Sequence, residues 1–151
     1  PLDTRTLRIL LVDDNEDNRL LAQSYFRKHP YRVEVAENGK DAYEKFIAGQ
    51  YDIVLMDIQM PIMDGYAATR AIRTHEILAQ SKRTPIVALT AFALPEEREK
   101  SVEAGCDVHL TKPIKKSLLL EVISQYANDP PAQVNMKKGA PGVLSPTERL
   151  S

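Results

Sequence analysis

Three acidic residues, a hydroxyl and a lysine stand at comparable places in this chain, each close behind a short apolar run. Asp13 and Asp14 follow RILLV, Asp57 follows DIVLM, Thr90 follows PIVAL and Lys112 follows VHL. If those runs are strands of one parallel sheet, their carboxyl ends open into a single crevice, which is where such sheets bind ligands. Three carboxylates about 5 Å apart repel one another by about 3 kcal/mol per pair at an effective dielectric of about 20. A divalent cation relieves that repulsion. Oxygen donors with no Cys or His among them select a hard ion, and an incomplete protein shell with room for water and phosphate oxygens favours Mg²⁺. The metal and Lys112 together carry as much positive charge as the carboxylates carry negative, so an arriving phosphoryl group meets balanced charge and electrophilic help at its oxygens. Asp57, at the end of its run, can then act as a carboxylate nucleophile and form an acyl phosphate.

Each residue also has a plainer role. Asp13 and Asp14 can supply an N-cap and first-turn charge for the helix behind them. Asp57 can start a turn that Pro61 and Gly65 punctuate. Thr90 is β-prone, and Lys112-Pro113 can be an ordinary strand end. None of these roles explains why all of the residues fall at strand ends in one chain.

The elements that must position them alternate along the sequence. Strand candidates are Arg8–Val12, Arg32–Ala36, Asp52–Met56, Pro85–Leu89 and Val108–Leu110. RILLV, DIVLM and PIVAL are nearly continuous apolar runs, as in strands buried on both faces of a parallel sheet, whereas RVEVA alternates and belongs nearer an edge. Helices are predicted over Glu16–Lys28, Gly39–Ala48, Gly65–Gln80, Pro95–Ala104 and Lys115–Ala127. In the last of these, Leu119, Val122, Ile123 and Tyr126 keep the spacing of a core-facing stripe. Pro95 with Glu96 and Glu97 opens a helix, and Gly105 closes it. This alternation implies right-handed crossovers and a doubly wound, open α/β sheet.

At 151 residues the chain suits one domain of ordinary size. With 20 basic against 21 acidic residues there is no overall positive field to draw it to nucleic acid or an anionic membrane. The lone Cys106 cannot form an internal disulfide, and neither a signal-peptide layout nor a membrane-length apolar run is present in the sequence. These features predict a cytoplasmic protein without membrane insertion. The sequence does not set an oligomeric state, and a monomer is compatible with it. After Asn128 the residues Pro130, Pro131, Gly139, Pro141, Gly142 and Pro146 break up a segment with little to bury, which reads as a flexible tail or linker. Within it Ser145, Pro146 and Glu148 match the start of a further helix, a weak sign of a longer parent protein.

Val12-Asp13-Asp14-Asn15, the run from Asp57 through Ile58, Gln59, Met60, Pro61, Ile62, Met63 and Asp64 to Gly65, Leu89-Thr90-Ala91 and Thr111-Lys112-Pro113 resemble the receiver domain of two-component response regulators. The resemblance covers about Leu7 to Ala127. It divides the chain into a lead over 1–6, a receiver domain over 7–128 and a tail over 129–151. It implies a flavodoxin-like, five-stranded parallel sheet of order 2-1-3-4-5, for which a chemotaxis member of the family is a standing example. It also implies a phosphoacceptor switch rather than an enzyme with a separate substrate. In that switch Asp57 takes a phosphoryl group from a histidine kinase or histidine phosphotransfer domain, and the domain catalyses its own phosphorylation and dephosphorylation. Asp14, Asp57 and the backbone carbonyl of Gln59 would bind Mg²⁺ directly, Asp13 through water, while Thr90 and Lys112 would contact the phosphoryl oxygens. The Lys112-Pro113 peptide is expected to be cis.

Where receivers usually carry Tyr or Phe, three residues before the lysine, this chain has His109. It could pivot with Thr90 as a switch, or be a partly exposed strand histidine without a role. His29 and His75 read as surface residues on helices, Met56, Met60 and Met63 as core filling, and Cys106 as a small packed residue. The output face implied by the family is the fourth helix, fifth strand and fifth helix. Of the fourth helix little besides Val102 and Ala104 is available as an anchor, so it should shift readily. Gln59 and Phe92 should border the path of a hydrolytic water, and neither is a general base, so the phosphoryl group should be lost slowly. VDDNEDNRLL with MDIQMPIMDG resembles receivers attached to hybrid sensor kinases somewhat more than those fused to DNA-binding domains. Rival readings fail on particular residues. A flavin site would find DDNED repulsive to phosphate, and a haloacid-dehalogenase-type phosphatase would want an acid where Gln59 stands. A receiver-like module that only docks partners remains as the alternative.

Overall fold

The computed structural model describes residues 6–128. Strands and helices alternate as β1 (Leu7–Val12), α1 (Glu16–Phe26), β2 (Tyr31–Ala36), α2 (Gly39–Ala48), β3 (Ile53–Asp57), α3 (Gly65–Ala79), β4 (Ile86–Thr90), α4 (Pro95–Ala104), β5 (Val108–Thr111) and α5 (Lys116–Asn128). All neighbouring strands pair in parallel, in the order β2-β1-β3-β4-β5. The continuous apolar runs fill the centre and the alternating YRVEVA forms an edge, as a sheet covered on both faces requires.

The period-2 alternation of strand side chains splits the core into two layers. Ile9, Leu11, Ile53, Leu55, Val87, Leu89, Val108 and Leu110 face one side, where Phe26 of α1 and the Leu119, Val122, Ile123 and Tyr126 stripe of α5 cover them. Leu10, Val12, Val54, Met56, Ile86 and Ala88 face the other, against Ala42 and Phe46 of α2, Tyr66, Ala68 and Ile72 of α3, and Val102 and Ala104 of α4. Met60 and Met63 pack on that second layer with Met56 inside it, so these three are core filling. Cys106 is fully buried, and burial pushes its thiol up to about 12, which leaves it an inert packed residue.

Helix ends follow local chemistry. Asn15, Asn38 and Asp64 cap α1, α2 and α3 through their side chains, and Gly105 closes α4 in the left-handed region at φ 104. Two expectations need correction here. Helix α1 ends at Phe26 rather than Lys28, because Arg27 and His29 turn the chain with bonds to Ser24 and Phe26 ahead of Pro30, which disfavours helix at the residue before it. His29 is therefore off the helix, half-buried and stacked on Tyr31 at 5.1 Å. His75 does lie on α3, but it too is half-buried, edge-on to Tyr43 and Phe46. The tail expected over 129–151 lies outside the described residues.

Candidate functional site

Strands β3, β4 and β5 each run one residue further than their apolar content suggests, so Asp57, Thr90 and Thr111 belong to the ladder. Asp57 pairs with Leu89, and the next amide, of Ile58, donates to the Leu89 carbonyl at 3.0 Å. From below, Gly65 holds the same strand end. Its amide donates to the Ile58 carbonyl at 3.0 Å, and a Cβ there would lie 2.3 Å from the Asp57 carbonyl oxygen, so α3 can begin this close to β3 only with glycine. The nucleophile candidate thus sits on a rigid element. Asp57 is 2% exposed.

Lys112 reaches the same point from beyond β5. Its amide donates to the Thr90 carbonyl at 2.7 Å, and the Lys112-Pro113 peptide is cis, as the resemblance implied. Lys112 Nζ donates to Asp57 Oδ1 at 2.8 Å and to Asp13 Oδ2 at 3.4 Å. Asp13 is buried and accepts from the Asn15 amide at 2.9 Å, whereas Asp14 is exposed at the mouth. Because Asn15 is the cap of α1, the capping role open to Asp13 and Asp14 in the sequence is not the one they play.

Burial pushes the Asp57 carboxyl up to about 6, and Asp13 and Asp14 push the same way while Lys112 pulls it down. Burial also disfavours the Lys112 ammonium, but its hydrogen bonds and charge contacts with Asp57 and Asp13 outweigh it, and its pKa is raised. The two directions describe one coupled pair, in which the ammonium holds down a carboxyl that burial alone would raise further. Ligand oxygens of Asp13, Asp14 and Asp57 lie within 4.8 Å of one another. Two oxygens on a single Mg²⁺ can be at most about 4.2 Å apart, since each sits about 2.1 Å from the ion. An all-oxygen set of this spread fits a hard cation held directly by some of these groups and through water by another.

On the far side of the cleft Thr90 is fully buried, and its Oγ1 accepts from Gln59 Nε2 at 3.2 Å and from the Phe92 amide at 3.1 Å. Gln59 Oε1 also accepts from the Ala91 amide at 3.4 Å, so this side chain spans the β3 and β4 loops. Phe92 remains about half-exposed at the rim. His109 is not a partly exposed strand residue. It is 3% exposed, and its Nδ1 lies 2.7 Å from Ser101 Oγ of α4. Ser101 stands 3.4 Å from Tyr66 Oη, which in turn donates to a Glu97 carboxylate oxygen at 2.8 Å. Burial lowers the His109 pKa; a hydrogen bond with the Phe92 backbone opposes it, and Arg98 (lowering) and Glu97 (raising) act more weakly.

Asp13, Asp14, Asp57, Thr90 and Lys112, all legible in the sequence, come together in one cleft. The close approach at Gly65, the Ser101 and Tyr66 partners of His109, and Arg19, whose Nη1 donates to the Asp13 carbonyl at 2.7 Å, were not legible there. Of these only Gly65 carried a signal, a glycine at a helix start.

An open parallel sheet with an acidic, lysine-bearing cleft at the carboxyl ends of its strands defines a flavodoxin-like α/β domain suited to a hard cation. Residues 9–124 match the response regulator receiver domain, and the chain belongs to that family. It is 43% identical over 128 residues to hybrid signal transduction histidine kinase G of Dictyostelium discoideum, covering 82% of this chain and 4% of that protein. The receiver domain of sensor histidine kinase PA1611 from Pseudomonas aeruginosa, solved with a magnesium ion coordinated in its active-site cleft, superposes with a TM-score of 0.74 at 37% identity, over 83% of this chain and 100% of that one. The receiver domain of Saccharomyces cerevisiae Ssk1, solved with the histidine phosphotransfer protein Ypd1, gives a TM-score of 0.78 at 28% identity, over 89% and 96%. The chain spans only a small part of the curated relatives it matches, between 4% and 16% of their lengths.

Proposed function

We propose that Asp57 is the phosphoacceptor of a two-component or phosphorelay pathway, and that residues 7–128 form the receiver unit of a hybrid sensor kinase working in the cytoplasm. The observation that carries this reading is a buried strand-end carboxylate, hydrogen-bonded to Lys112 at 2.8 Å and facing two more carboxylates. An Asp57 oxygen attacks the phosphorus of a phosphohistidine in line with the leaving nitrogen. The P–N bond breaks, the imidazole keeps the electron pair and takes a proton from solvent, and an acyl phosphate remains on Asp57. Lys112, already beside Asp57, follows a phosphoryl oxygen. The Thr90 hydroxyl, whose oxygen accepts two bonds, has its own proton to donate to another. Asp14, Asp57 and the Gln59 carbonyl would hold Mg²⁺, with Asp13 acting through water, and the ion when bound supplies charge neutralisation at the phosphoryl oxygens. The histidine phosphotransfer partner of the Ssk1 receiver supports a donor of that class, and the magnesium of the PA1611 receiver supports the ion.

The switch then involves His109 as a tethered residue. When Thr90 moves toward the phosphoryl group it pulls on the Phe92 amide, and the loop it shifts lies against His109, which is bonded to Ser101 of α4. Helix α4 buries only Ser101, Val102 and Ala104, so little packing holds it against a shift. No side chain at the Gln59 and Phe92 positions can act as a general base, which supports slow loss of the phosphoryl group. Incubation with phosphoramidate should label the protein in Mg²⁺ and leave it unlabelled in EDTA. Equal labelling under both conditions would rule this function out, as would no labelling under either.

A further inference from the structure

Two sides of the acidic cleft are held in different ways. Asp57 ends a central strand, with β1 and β4 on its flanks and Gly65 beneath it. Asp13 and Asp14 lie past the last paired residue of β1, on the turn into α1. The Asp13 amide donates to the Ala36 carbonyl at 3.1 Å, but the peptide that joins Asp13 to Asp14 has left the ladder. Among the described residues no hydrogen bond is made to the Asp14 carboxylate, so its position depends on its backbone. The side chain that takes hold of that backbone is Arg19, one turn into α1. Its Nη1 donates to the Asp13 carbonyl at 2.7 Å, its side chain is 13% exposed, and its Nη2 lies 3.9 Å from a carboxylate oxygen of the exposed Glu37.

We infer that Arg19 is a positioning residue for the cation site: by gripping the Asp13 carbonyl it fixes the Asp13–Asp14 peptide plane and keeps both acids turned toward Asp57. The peptide unit is rigid, so fixing its oxygen also fixes the Asp14 amide and the direction in which the Asp14 Cα leaves. The grip matters because the carboxylates oppose it. Their oxygens lie within 4.8 Å of one another and repel, and the turn is the compliant side of the cluster. A guanidinium suits the task because its charge-assisted bond to a carbonyl is strong and its fork leaves a second nitrogen for Glu37. Arg19 touches neither the phosphoryl group nor the cation in this scheme.

The inference rests on the reading of Asp13, Asp14 and Asp57 as a Mg²⁺ site, and its sign separates it from simpler roles. If Arg19 acted only as a nearby positive charge, Arg19→Met would tighten Mg²⁺ binding. If it only stabilised the fold, Mg²⁺ binding would not change. As a grip on the turn, its loss weakens binding. Mg²⁺ titrations followed by amide chemical shifts should give a midpoint about 10-fold higher in Arg19→Met, in the range usual for residues that orient metal ligands. Arg19→Lys, which keeps the charge but loses the fork, should fall between Met and wild type. In the metal-free proteins the Asn15 amide, which donates to Asp13 Oδ1, should exchange with solvent faster in Arg19→Met. Phosphorylation by phosphoramidate should show the same shifted Mg²⁺ midpoint with its plateau rate nearly kept. A midpoint in Arg19→Met equal to or below that of wild type overturns the inference while leaving the Mg²⁺ site intact. Failure of wild type itself to bind Mg²⁺ overturns the parent reading instead.

Discussion

The two ends of this sheet use the same chemistry to opposite purposes. At the amino-terminal end, the buried carboxylates of Glu76 and Asp107 face two guanidinium groups. Arg73 bonds Glu76 at 2.7 Å and Asp107 at 2.8 Å, Arg83 bonds the other Asp107 oxygen, and the Thr84 and Ile86 amides complete the set. Arg73 also donates to the Gly105 and Thr84 carbonyls, tying α3 to the starts of β4 and β5. Charge there balances and every carboxylate oxygen is partnered. At the carboxyl-terminal end three carboxylates face one ammonium, and the Asp14 carboxylate stands exposed at the mouth. A satisfied ionic network closes a structure, and an unbalanced one is held ready for a ligand.

The comparison breaks first at Arg73. Arg73→Met strips donors from two buried carboxylates and should cost about 3 kcal/mol of stability, measured by urea unfolding, while phosphorylation of the remaining folded protein stays near the wild-type rate. A loss no larger than the roughly 1 kcal/mol of an exposed ion pair would remove the distinction between the two ends. Next comes Gly65→Ala. The added methyl meets the Asp57 carbonyl and Ile58 backbone, so the strand end must shift. About 2 kcal/mol should be lost, with slower phosphorylation as well, unlike Arg73→Met. Unaltered labelling kinetics in that variant would detach Gly65 from the site.

The fold was legible because both-face burial writes continuous apolar runs and edge strands alternate. The site was legible because Asp13, Asp57, Thr90 and Lys112 interrupt those runs where a parallel sheet binds ligands. What stayed hidden depends on contacts distant in sequence. Arg73 and Asp107 are 34 residues apart, and no local pattern marks them as partners. The same holds for the contact of Tyr66 with Ser101, 35 residues away. The burial of His109 could not be read either, since a histidine in a short strand gives no sign of which layer it faces or of the serine waiting there.

Smaller effects sharpen the output side. Ser101→Ala leaves His109 Nδ1 buried without its partner and should cost about 1 kcal/mol. In the phosphorylated or beryllofluoride-bound protein it should also weaken the chemical-shift response of α4 relative to that of the loops around Asp57. A full α4 response in Ser101→Ala would exclude the tether. The smallest effect concerns acid. The His109 pKa lies below its ordinary 6.5, so the unfolded chain takes up a proton before the folded chain does. Stability present above pH 6.5 is therefore lost as pH falls through the window beneath it, by at most about 1.4 kcal/mol per pH unit. His109→Gln should flatten that part of the stability curve, and an identical slope in both proteins would contradict the burial argument.

The most direct measurement locates the phosphoryl group. Wild type and Asp57→Asn are treated with phosphoramidate and Mg²⁺, and intact mass with peptide mapping follows the product. The account predicts one phosphoryl group per wild-type chain, on the peptide that contains Asp57, and none on Asp57→Asn. A phosphoryl group on another residue of the wild type, or equal labelling of Asp57→Asn, would contradict it.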